Sequence, residues 1–135
     1  MTTAEIAPSL RPGMHAATFG GNPIAARAGI AAIEMIEQEN LLEHGLAMSQ
    51  IFAERLGELA DRCDLIQEIR IRGMMIGVEL SVEGAGIVKG CLERQLLINC
   101  TQTTVLRLLP ALNITAAQVH DGLDILSDVL LKHSP

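Results

Sequence analysis

Apolar positions along this chain follow two different periods, and the change from one to the other sets the expected order of elements. Ile24, Ala28, Ala31 and Met35 recur at helical spacing, with Ile33 and Ile36 widening the stripe. Asn22 and Pro23 before them suit a helix start, because an Asn side chain accepts from the free N–H groups of a first turn and Pro fits the first helical position. The spacing predicts a helix from there to about Asn40, rich in small residues that let another backbone approach. Leu42, Met48, Phe52, Leu56 and Leu59 predict a second helix ending near Cys63. From Leu65 to Leu80 the period shortens to two, through Ile69 and Ile71 and then Ile76, Val78 and Leu80, with a turn or bulge at Arg72-Gly73. Gly84 to Gln95 reads as a helix facing inward through Ile87, Val88, Cys91 and Leu92, and Leu96 to Ile98 and Val105 to Leu109 as short strands. Thr115 with Gln118 three residues on is a capping-box signature, and Val119, Leu123, Leu126 and Leu130 give the last helix its stripe.

Residues 1–21 stand apart. Pro8, Pro12, Gly13, Gly20 and Gly21 exclude a long helix or strand there, so an extended arm is expected. The remainder, 22–135, is expected to be a small sheet covered by helices, a two-layer α/β or α+β domain.

Composition narrows the function more than the fold. A chain of 135 residues with 49% hydrophobic and 19% charged side chains is expected to form one globular core and to be soluble, with no membrane partner. A net charge of −6 with scattered basic residues argues against nucleic acid as a partner. The opening MTTAEIAPSL carries no basic run before an apolar stretch, so the expected location is cytoplasmic. Cys63, Cys91 and Cys100 are odd in number and lack metal-binding spacing, and are expected as free thiols. His15, His44, His120 and His133 likewise suggest surface or loop positions and no metal site.

Two places carry candidate chemistry. In Thr18-Phe19-Gly20-Gly21-Asn22-Pro23 a hydroxyl residue precedes paired glycines at a helix start. That arrangement is either an anion cradle, since Gly leaves backbone N–H groups unobstructed, or a turn feeding a capped helix. The other is Arg107, which interrupts the apolar run from Val105 to Leu109. A charge inside an otherwise buried pattern marks either a functional site, where the planar guanidinium would fork onto a carboxylate, or the solvent face of an edge strand.

The stretch His15-Ala16-Ala17-Thr18-Phe19-Gly20-Gly21-Asn22-Pro23 resembles the H-G-[ST]-T-[FY]-G-G-N-P motif of class III aminotransferases, the ω-amino-acid and acetylornithine group. Three further segments agree in order. Ile71 to Leu80 is similar to VRGxGLMxGIEL, Leu97-Ile98-Asn99-Cys100 to the entry into the last strands, and Val105 to Thr115 to VLRFLPPLxIT. Thr2-Thr3-Ala4-Glu5-Ile6 also looks like the family segment shortly after the catalytic lysine, so the resemblance covers essentially the whole chain.

The resemblance implies the small C-terminal domain of a fold-type I enzyme dependent on pyridoxal 5'-phosphate (PLP), with residues 1–21 as its arm and cofactor-phosphate loop. Thr18 would reach the cofactor phosphate of a neighbouring subunit, and Arg107 would pair with the α-carboxylate of an amino acid or 2-oxo acid substrate. Ala17 stands where acetylornithine enzymes usually place Ser or another residue near the substrate. The Asn99-Cys100 pair points toward acetylornithine or succinylornithine enzymes rather than the 4-aminobutyrate branch. In the family, the cofactor-bonding lysine, the aspartate on the pyridine nitrogen and the glycine-rich phosphate turn all precede the segment matched here. The only lysines are Lys89 and Lys132, both expected as surface charges. The chain is therefore expected to be a C-terminal fragment of such an enzyme, binding no cofactor and catalysing nothing alone, and to self-associate as a dimer or higher oligomer. The alternative is an oligomerisation or regulatory module that keeps the fold without the chemistry.

Overall fold

The computed structural model describes residues 3–11, 13–14, 18 and 20–133. The chain divides into two compact units, 1–36 and 37–135.

In the first unit, where the prolines and glycines suggested an extended arm, the described residues include a 3-10 turn at Ala7–Ser9 and further turns. Gly13 and Gly21 take φ of +87° and +75°, backbone that glycine adopts without Cβ strain. Helix α1 (Pro23–Gln38) begins as expected: the Asn22 Oδ1 accepts from the N–H groups of Ile24 and Ala25 at 2.9 and 3.5 Å. Most of its large apolar residues are exposed, with Ile24 at 79% and Ile33 at 60%, while Ile36 is half-buried.

The second unit holds α2 (Leu41–Ala60), β1 (Ile66–Arg72), β2 (Met75–Leu80), α3 (Ala85–Glu93), β3 (Asn99–Thr101), β4 (Val105–Leu108) and α4 (Ala116–His133). The four strands form one sheet in the order β1-β2-β4-β3 with antiparallel neighbours throughout, which makes this an α+β domain. Arg72 pairs with Met75, so Gly73 and Met74 alone connect β1 to β2, and Gly73 supplies the positive φ, +54°, that tight hairpin turns favour.

The period-two pattern has a direct structural result. Ile76, Val78 and Leu80 of β2 and Leu106 and Leu108 of β4 point to one face, where they are buried with Phe52, Leu56 and Leu59 of α2, Ile87 and Cys91 of α3 and Val119, Leu123, Leu126 and Leu130 of α4. Fully burying an aliphatic side chain of this size contributes about 1.5–3 kcal/mol, so these positions dominate stability. The reciprocal capping box forms at α4, where Gln118 N donates to Thr115 Oγ1 at 3.3 Å and Thr115 N to Gln118 Oε1 at 3.0 Å. Helices α2 and α4 are also tied by Arg55, whose terminal nitrogens lie 2.8 Å from His120 Nδ1 and 2.5 Å from Asp124 Oδ1. His44 Nε2 lies 2.7 Å from the Ile114 carbonyl oxygen, so two of the expected surface histidines make contacts between elements.

Two expectations are corrected. Leu96–Ile98 is not a strand: Leu97 is 85% exposed, and the pairing begins at Asn99. Leu42 and Leu92, counted in the helix stripes, are 61% and 58% exposed. The three cysteines are free, as expected, with Cys63 and Cys91 buried and Cys100 partly so.

Candidate functional site

Helices α2, α3 and α4 cover one face of the sheet, and the residues that alternate with the core line the other. Across this open face Arg70, Gly77, Arg107 and Asn99 stand in register, one from each strand in the spatial order β1, β2, β4, β3. Arg107 therefore lies on an interior strand, and the edge-strand explanation of its charge fails, although its side chain does face solvent. It is flanked by Gly77, which has no side chain to obstruct it, and by Asn99, whose Oδ1 accepts from Arg107 Nε at 3.2 Å.

The three arginines of this face differ in what neutralises them. Arg70 donates to both Glu68 and Glu79, the latter at 2.8 Å, and these carboxylates raise its pKa further. Glu79 is held below the usual carboxylate range first by that Arg70 hydrogen bond and then by the Thr104 hydroxyl, which donates to its Oε1 at 2.7 Å. Arg72 and Arg107 make no ion pair among the described residues. Both line, with Arg70, a cavity of about 210 Å³ that Gly77, Met75, Thr101 and Val105 also border. Arg107 also borders a second hollow, of about 350 Å³, with Leu97, Ile98, Asn99 and Leu109. A guanidinium with unpaired terminal N–H groups beside open space is suited to a carboxylate, which accepts two parallel bonds from its fork.

The remaining sequence candidates are placed as follows. Thr18 belongs to the first unit and is exposed. Ala17 lies outside the described residues. Of the two readings of the paired glycines, the capped-turn geometry is present, and the α1 N–H groups of Ile24 and Ala25 are engaged by Asn22. Lys89 is an exposed helix residue 4.0 Å from Glu93, and Lys132 is exposed in the last turn of α4. Neither lines the hollows beside Arg107. Among the described residues there is no cluster able to hold a metal ion and no helix long and apolar enough to cross a membrane. Sequence reasoning missed Gly77 and Glu79 as parts of this surface; their pairing with distant strands leaves no signal in local spacing.

Comparison with known proteins places this surface in a family. The chain is 38% identical over 130 residues to the acetylornithine aminotransferase of Methanothermobacter thermautotrophicus, covering 96% of this chain and 33% of that relative. It thus spans about a third of the length of the curated relatives it matches. The crystal structure of acetylornithine aminotransferase from Elizabethkingia anophelis superposes with a TM-score of 0.83 at 28% identity, over 94% of this chain and 34% of that one. The ornithine aminotransferase of Toxoplasma gondii, with partially occupied PLP at its active site, gives 0.84 at 28% identity over 96% and 31% of the two chains. The profile of the family described as class-III aminotransferases matches residues 1–130, and this chain belongs to that family.

Proposed function

We propose that this chain supplies the C-terminal portion of an aminotransferase that moves the ω-amino group of N-acetylornithine, or of a related ω-amino acid, to 2-oxoglutarate. The observation that carries the reading is Arg107. It stands on an interior strand beside Gly77 with its terminal nitrogens unbonded among the described residues, where both substrates' carboxylates could be forked. The relatives named for acetylornithine and ornithine support the ω-amino substrate class. When bound, PLP supplies the electron sink for such chemistry. The chain's own part is to orient the substrate through Arg107 and to offer the Thr18 hydroxyl to the cofactor phosphate, in a cytoplasmic dimer. The exposed apolar residues of α1 favour that association.

On this reading the chain alone does not bond the cofactor. Incubation with PLP followed by borohydride reduction and mass spectrometry should leave Lys89 and Lys132 unmodified at stoichiometric cofactor. A specific adduct on either lysine contradicts the proposal.

A further inference from the structure

We infer that Asn99 is a positioning residue for Arg107, fixing which edge of the guanidinium meets a carboxylate. The inference rests on the carboxylate role proposed for Arg107. Arginine can grip a carboxylate in two ways: side-on, through Nε and one terminal nitrogen, or end-on, through the two terminal nitrogens. Here the Nε–H is already spent on Asn99 Oδ1 at 3.2 Å. The side-on edge is closed, and the end-on pair is the edge left for a ligand.

The placement of the two residues makes this bond an intrinsic product of the sheet. Asn99 and Arg107 are direct partners in the β3–β4 ladder, with side chains on the same open face. Partners opposed in this way hold their Cβ atoms close, about 4.5–5.5 Å apart, so a short Asn reaches only the base of the guanidinium and cannot compete for its far end. Asn is also neutral. It holds the fork without cancelling its charge, unlike the Glu68 and Glu79 carboxylates that occupy Arg70 on the same face. Arg107 borders hollows on both sides, one shared with Gly77 and one with Asn99, so a side chain without this tether has two places to go. Holding a flexible side chain in its bound geometry removes an ordering cost of about 0.5–1.5 kcal/mol per immobilised side chain, which corresponds to roughly two- to tenfold in affinity.

The test uses this chain with glutarate as the dicarboxylate probe, following the Arg107 Nε–Hε resonance by NMR in the native chain, Asn99→Ala and Asn99→Asp. Backbone amide spectra report whether the fold persists. Asn99→Ala should accelerate Hε exchange with water by roughly tenfold and weaken glutarate binding roughly two- to tenfold. Asn99→Asp should keep Hε protected, because the acceptor oxygen remains, yet weaken glutarate at least as much, because the added charge pairs with the guanidinium. A merely structural Asn99 does not separate those two readouts. Unchanged Hε exchange in Asn99→Ala overturns the inference whatever glutarate does. A protected Hε in the native chain with no glutarate response overturns instead the carboxylate role of Arg107.

Discussion

Gly77 lies directly opposite Arg107 across the β2–β4 ladder, so the one charged residue of β4 faces the one residue of β2 without a side chain. The fold does not demand that glycine: a Cβ built there meets only Val105 Cγ1, at an ordinary 3.6 Å, and its φ is not positive. Gly77→Ala should therefore leave the melting temperature unchanged or raise stability by about 0.5–1 kcal/mol, as replacing a mid-strand glycine generally does. The same methyl group intrudes on the cavity beside Arg107, and glutarate affinity should fall. Calorimetric melting beside a glutarate titration checks both halves. Loss of stability with undiminished binding would show that Gly77 serves packing and not the cavity.

Glu79 offers a test by acid. Its folded pKa is depressed by Arg70 and Thr104, so the unfolded chain binds its proton more readily than the folded one. The stabilisation is present above the ordinary glutamate pKa and is lost as pH falls through the depressed folded value. The difference in melting temperature between the native chain and Glu79→Gln should thus be clear at pH 7 and shrink toward zero in strong acid. A difference that does not change with pH would locate the effect in packing. Its size should be modest, because the group is exposed and water screens its interactions.

Gly84 is required for a different reason. A Cβ there would come within 2.5 Å of Cys100 Sγ and 3.1 Å of Leu106 Cδ2, both from the strands that carry Asn99 and Arg107. Overpacking of this kind generally costs about 1–3 kcal/mol, and Gly84→Ala should show it in urea denaturation. Removing the sulfur through Cys100→Ala in the same chain should recover part of the loss. Purely additive losses would refute this contact as the cause.

The sequence made the local devices legible because their signals are local. The Asn22 cap, the Thr115–Gln118 capping box and the Gly73 turn depend on residues a few positions apart, and all three are present. The charge at Arg107 stood out because it broke the alternation of its own strand. What the alternation could not reveal was that β4 runs between β2 and β3, since strand order is set by pairings distant in sequence. The polar strand Asn99–Thr101 was missed in favour of the apolar Leu96–Ile98, because a three-residue edge strand with an open face carries almost no hydrophobic period. Thus Arg107 was visible in sequence, while the neighbours that surround it required the sheet.

The most direct measurement of the central claim joins this chain to the N-terminal two thirds of the Methanothermobacter acetylornithine aminotransferase and compares kcat/KM for Arg107 and Arg107→Lys. Lys replaces a planar fork with a point charge. Losing a charged hydrogen bond of this type costs about 1.5–3 kcal/mol, or roughly ten- to a hundredfold in kcat/KM. The account predicts that loss for amino acids bearing an α-carboxylate and a much smaller one for simple ω-amines in the same half-reaction. Equal loss for both classes would mark Arg107 as structural and contradict its role as the carboxylate anchor.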